Sequence, residues 1–197
     1  MRITIFDYGA GNLHSLAKAI AAVAGEPVVE TDPVRAVETD VLVLPGVGAF
    51  TPAAERIAPG REAMRSAILG GLRCLGICLG MQLLLDRSEE GPGLGLGVVA
   101  GEVTTLRASR RPQIGWNEVS AGDPLVARAG LRYGYYANGF ACRPADPSSV
   151  VAWSEYEGDR FPAALRSGGA LGVQFHPEKS SGAGLALLDG FFREVAG

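Results

Sequence analysis

Four short apolar runs, at residues 3–6, 41–44, 75–77 and 171–174, show little of the polar alternation expected of a strand with one wet face. Such runs predict strands buried on both sides, which occur in parallel sheets covered by helices. The stretches between them supply the cover. Residues 13–23, 62–69, 79–85 and about 184–195 place apolar side chains at helical spacing, with Asn12 or the glycines before it opening the first helix. A further short strand is expected at Val28 and Val29. Strands alternating with helices predict a three-layer α/β fold around a mostly parallel central sheet. The middle of the chain changes character. Residues 98–99, 102–106, 119, 131–137, 150–153 and 163–166 are short, alternating or aromatic, and Gly, Pro, Asp and Ser separate them. They predict an antiparallel extension of the sheet. The glycine-rich stretch 91–97 lacks the Lys and Ser or Thr of a phosphate loop and is expected to be a flexible surface turn.

The 197 residues are in the range of a single domain, taken as 1–197. A net charge of -3 leaves no basic footprint for nucleic acid and no polybasic membrane patch. No apolar run approaches the roughly 20 residues that span a bilayer, and the N-terminus enters a strand pattern directly, so a cytoplasmic protein is expected. Cys74, Cys78 and Cys142 make an odd number without framework spacing. Three residues separate Cys74 from Cys78, where zinc and redox pairs have two, and no second pair completes a site. No metal and no cofactor are expected.

Cys78 stands apart. It lies in Gly76-Ile77-Cys78-Leu79-Gly80-Met81-Gln82, directly after an apolar run and directly before a helical pattern. A strand turning sharply into a helix projects its turn side chain away from the sheet, and the flanking glycines let the backbone crowd around it. The helix start adds free N–H groups and the positive end of a dipole, both favouring a thiolate. A nucleophile needs a base, and the chain has two histidines. His14 follows a glycine-rich turn with no partner motif beside it and reads as a surface or interface residue. His176 sits in Gln174-Phe175-His176-Pro177-Glu178-Lys179, where Glu178, two residues on in an extended segment, falls on the same side as the imidazole. Each feature has a plainer reading: a small buried cysteine, a structural histidine, a strand end.

Together these segments resemble the class I, or triad, glutamine amidotransferases over nearly the whole chain. The subfamily most similar is that of the glutaminase subunits of imidazole glycerol phosphate synthase. Asp7-Tyr8-Gly9-Ala10-Gly11-Asn12-Leu13-His14-Ser15 resembles its N-terminal motif, Leu44-Pro45-Gly46-Val47-Gly48-Ala49-Phe50 its oxyanion strand, and Gly115-Trp116-Asn117 a partner-facing motif. The resemblance implies a flavodoxin-like fold and a Cys78, His176, Glu178 triad that hydrolyses glutamine to glutamate and ammonia through a cysteine thioester. It implies oxyanion donors at the N–H groups of Leu79 and Val47, the latter turned away at rest, and substrate contacts at Gly48, Gln82 and the backbone of residues 136–138.

The partner implied is a separate (β/α)8-barrel cyclase that takes the ammonia and makes imidazole glycerol phosphate and AICAR in histidine biosynthesis. A barrel of that kind needs about 250 residues and cannot be part of this chain. Trp116, Asn117, Tyr135 and Lys179 are expected near the interface. Two positions depart from the pattern: Asn138 and Gln113 stand where histidine is common, and no histidine role is carried to them. Remaining alternatives are a class I glutaminase serving another synthase, a cysteine hydrolase on the same architecture, and a non-catalytic scaffold subunit.

Overall fold

The structure is a computed structural model that describes residues 1–9 and 13–197. The expected helix opening at Asn12 lies outside the described residues. In chain order the elements are β1 (Ile3–Phe6), α1 (His14–Ala24), β2 (Val28–Glu30), β3 (Val41–Leu44), α2 (Phe50–Ile57), α3 (Arg61–Leu69), β4 (Arg73–Ile77), α4 (Leu79–Gln82), β5 (Arg87–Ser88), β6 (Gly101–Thr105), β7 (Gln113–Glu118), β8 (Ser120–Ala121), α5 (Pro124–Arg128), β9 (Tyr133–Asn138), β10 (Phe140–Pro144), β11 (Val150–Tyr156), β12 (Asp159–Ser167), β13 (Ala170–Val173) and α6 (Ser181–Ala196). Eight strands form the main sheet in the order β2-β1-β3-β4-β13-β12-β11-β8. The first five are mutually parallel and the last three run antiparallel.

The apolar runs split between two cores, one on each face. Ile3, Ile5, Val41, Val43, Leu75 and Ile77 pack under α1 and α6 with Ile20, Leu188 and Phe191. Phe6, Leu42, Leu44 and Cys74 face the other way, against Phe50, Ile57, Met64 and Ile68 of α2 and α3. Strand side chains alternate in direction, so a run that must fill both cores is apolar at every position. No helix among the described residues is long and apolar enough to cross a membrane.

Several local expectations are corrected. Helix α2 was not expected, because Ala53 and Ala54 hide the apolar spacing between Phe50 and Ile57; Pro52 is tolerated in the first turn, where its missing N–H costs nothing. Helix α4 stops at Gln82. Leu83, Leu84 and Leu85 follow as a buried turn tightened by bonds from Leu84 N–H to Met81 and from Leu85 N–H to Gln82. Val98 and Val99 are buried but form no strand. The stretch 91–97 is a surface turn only at 92–94, which are exposed; its end is packed, since Leu96 is fully buried, its N–H donates to Leu83 O at 2.7 Å, and a Cβ at Gly95 would lie 2.0 Å from Leu85 O. Strands β7 and β10 were also not expected. β7 pairs with β9 in an antiparallel ribbon whose Gln113 and Asn138 point inward while Ile114, Trp116 and Tyr133 are exposed.

Candidate active site

Strands β4 and β13 lie side by side at the middle of the sheet, and their carboxyl ends carry the two segments singled out by sequence. Beyond β4, Cys78 adopts φ 47° and ψ -103°, a conformation that costs a non-glycine residue of order 1–3 kcal/mol and persists only where the surroundings impose it. The surroundings are specific. Cys78 N–H donates to Val173 O at 2.7 Å, and its carbonyl accepts from Gln82 N–H at 3.1 Å. Gly76 and Gly80 let helix and strand touch: a Cβ on Gly76 would stand 2.7 Å from Gly80 O, and one on Gly80 only 2.0 Å from Leu44 O. The Leu79 N–H opens α4 and so has no acceptor in the helical ladder.

His176 follows β13 and is 3% exposed. Its N–H donates to Tyr135 O at 2.8 Å, and its carbonyl accepts from Ser180 Oγ at 2.6 Å. That serine oxygen in turn accepts from Tyr135 N–H at 2.9 Å, which locks the segment to β9. The ring Nδ1 lies 2.8 Å from Glu178 Oε1, with both side chains buried. The imidazole is also near enough to Cys78 for the sulfur to act on its titration. Burial alone would push its pKa down, but the bonds to Cys78 and Glu178 and the charges of both push it up to about 9. A proton is thus held between sulfur and carboxylate through the neutral range.

A pKa raised from 6.5 to about 9 stabilises the fold fully below about pH 6.5, and that contribution is lost as pH rises toward 9. Activity that draws on the imidazolium should likewise fall on an alkaline limb near pH 9. A kcat/KM profile flat to about pH 10 would contradict this. The other two thiols have no such neighbour: burial pushes Cys74 to about 12 and, with the Cys78 sulfur, pushes Cys142 up as well.

Cys78 opens on a cavity of about 430 Å³ whose wall includes Gly46, Gly48, Leu79, Gln82, Glu90, Arg111 and Asn138. Gln82 is 4% exposed and reaches Phe140 O and Gln174 Oε1 at 3.4 Å each; Gln174 Nε2 is 3.5 Å from Cys78 Sγ. Three of these polar residues were not named from sequence. Gln174 could have been, as an amide in an apolar strand. Glu90 and Arg111 could not: they approach the cavity from loops far apart in sequence, Glu90 accepting from Phe50 N–H at 3.2 Å and Arg111 donating to Leu106 O at 3.2 Å. A carboxylate and a guanidinium on one wall suit the two charged ends of an amino acid.

Gly48, at φ 103°, lines the cavity, whereas the neighbouring Val47 lines a separate crevice of about 100 Å³ behind it, shared with Leu13, Ser15, Glu178 and Lys179. Gly46 borders both spaces. Trp116 and Tyr135 meet edge to face at 6.1 Å, and Lys179 Nζ lies 5.8 Å from the Tyr135 ring. Asn117 does not join them. Its amide donates to Glu155 O at 2.8 Å, tying β7 to β11. Exposed His14 begins α1.

The chain matches the family model "Glutamine amidotransferase class-I" over residues 4–195. It is 44% identical over 191 residues to an imidazole glycerol phosphate synthase subunit HisH of Thermus thermophilus, covering 95% of each chain. To the HisH subunit of Pyrococcus furiosus it is 40% identical over 196 residues, covering 98% of each. Among solved structures, a glutamine amidotransferase superposes with a TM-score of 0.75 at 18% identity, covering 100% of this chain and 99% of that one. PurLQS from Thermotoga maritima gives 0.71 at 18%, covering 98% of each. These two likenesses carry the fold, a mostly parallel sheet between helical layers with an antiparallel flank. With its family match running almost end to end, the chain is a member of the class I glutamine amidotransferases.

Proposed function

We propose that this chain is the glutaminase subunit of an imidazole glycerol phosphate synthase, acting in the cytoplasm in histidine biosynthesis. The observation that carries the chemistry is the buried His176 imidazole bonded to Glu178 and acted on by the Cys78 sulfur, at the wall of a cavity bearing both charges. The Cys78 sulfur attacks the side-chain amide carbon of glutamine, forming the C–S bond and placing negative charge on oxygen. The N–H groups of Leu79 and Val47 receive that charge; one such donor is worth roughly 3 to 4 kcal/mol of barrier. The His176 imidazolium then gives its proton to the departing nitrogen, the C–N bond breaks and ammonia leaves. Water, losing a proton to the neutral imidazole, opens the thioester and releases glutamate and the thiolate.

Glu178 holds the imidazole's tautomer and stabilises its charge. Glu178→Gln should cut kcat by roughly 100- to 10,000-fold with little change in KM, and should move the alkaline limb to lower pH. An unchanged limb would remove Glu178 from this role. Gln82, Gly48, Glu90 and Arg111 hold the α-amino and α-carboxylate ends of glutamine.

Ammonia released into neutral water becomes ammonium and loses its nucleophilicity, so the product must pass directly to an acceptor. The relatives are named as subunits of a synthase, and the partner proposed for this chain is a (β/α)8-barrel cyclase in a heterodimer. The face formed by Trp116, Tyr135 and Lys179, with Ile114 and Tyr133 exposed beside it, suits its docking, since aromatic residues dominate binding energy at interfaces. The test is to mix the chain with the cyclase and follow glutamate production with and without cyclase substrate. Weak turnover that rises steeply in the complex supports the reading. Turnover indifferent to the cyclase would assign the chain to another synthase, and none under any condition would leave a scaffold subunit.

A further inference from the structure

Tyr8 is 3% exposed, and the catalytic steps above leave it unused. It follows β1 on a backbone that is itself held: Asp7 N–H donates to Glu30 O at 2.8 Å, and the Asp7 carboxylate accepts from Gly9 N–H at 2.7 Å. The ring packs edge to face on Phe6 at 6.0 Å. From this fixed base the hydroxyl donates to the carbonyl of Pro45, the first residue beyond β3. The turn beginning there is confined on its other side, since a Cβ on Gly46 would lie 2.9 Å from His176 Cε1 and 3.0 Å from the Ile77 side chain. Further along, Gly48 sits at φ 103°, where only glycine is at ease.

We propose that Tyr8 is a positioning residue for glutamine hydrolysis, its hydroxyl anchoring the Pro45–Gly46 peptide so that the next N–H, that of Val47, is presented to the oxyanion with a fixed pivot. The hydroxyl is suited to this. Burial first, then the nearby Cys78 sulfur and Asp7, raise its pKa well above the usual phenol value, so it remains a neutral donor across the working pH range. With the peptide upstream of Gly46 tied down, rotation about Gly46 and Gly48 moves the Val47 N–H without dragging β3. Tyr8 touches the turn and is not among the residues that line the cavity. The inference deepens the proposed glutaminase reaction and rests on it.

Tyr8→Phe tests it, because it removes the hydroxyl and keeps the packed ring. In the complex with the cyclase, kcat for glutamine hydrolysis should fall roughly 10- to 100-fold with KM within about twofold, the usual scale for a misplaced oxyanion donor. Alkylation of Cys78 by iodoacetamide, which displaces iodide and builds no oxyanion, should keep the wild-type rate. An aldehyde analogue of glutamine, which adds to the thiolate and does build one, should bind more weakly by the same factor as kcat. The proposal is overturned if kcat stays within about twofold, if KM rises in proportion, or if alkylation slows along with turnover. Wild-type enzyme that releases no glutamate in the same assays would overturn the glutaminase reading itself, a distinct outcome.

Discussion

Cys78→Ala is expected to lower glutamine turnover by at least about 10,000-fold while the fold persists. Removing one member of a nucleophile and base pair leaves only what binding and oxyanion donors can do alone, and in such units a single loss approaches the loss of all. The fold should survive because the bonds that hold this turn are made by the backbone: the N–H to Val173 and the carbonyl to Gln82 are both kept by alanine. The side chain is 6% exposed and small, and it borders the cavity, so alanine leaves only a sulfur-sized space. Glutamate release by the variant, measured in the complex beside an unchanged melting temperature, checks the claim. Residual activity within about tenfold of wild type would mean that another group attacks the amide.

The second large effect concerns stability. Gly80→Ala should destabilise the protein by about 3 kcal/mol, at the upper end of overpacking costs, because the new methyl would stand 2.0 Å from the Leu44 carbonyl oxygen and neither backbone can step aside cheaply. For a chain of this size that corresponds to a melting temperature lower by roughly 6 to 12 °C. Gly182→Ala is the matched control: its methyl would meet nothing within 4 Å, and it lies in α6, where alanine is the better helix former. Thermal unfolding of both variants decides it. A Gly80 variant melting within about 2 °C of wild type would show that α4 does not press on β3 as described.

What could be read from sequence, and what could not, follows from how far each signal travels along the chain. The parallel strands were legible because a strand in two cores must be apolar at every position, as Val41 to Leu44 are. Cys78 was legible because a strand, a sharp turn and a helix start are consecutive, and His176 and Glu178 because they stand two residues apart, although a 3-10 turn over Pro177–Lys179, not the extended segment expected, brings the carboxylate to the ring. Helix α2 was hidden by alanines, and the leucines after Gln82 by the fact that a fully buried turn has a helix's composition. Strand β7 was obscured because its exposed face carries Ile114 and Trp116 while Gln113 points inward, the reverse of the usual pattern. Glu90 and Arg111 were out of reach: only the folded chain brings them to one wall.

The strand order has one more consequence. β13 begins at Ala170, far beyond β4 in sequence, yet fills the slot between β4 and β12, so a ribosome must have delivered residue 176 before Cys78 can meet the His176 imidazole. A chain cut short of Ala170 lacks both the sheet's central β13 and His176. Such a fragment is without the base, so hydrolysis at Cys78 waits on the arrival of this segment.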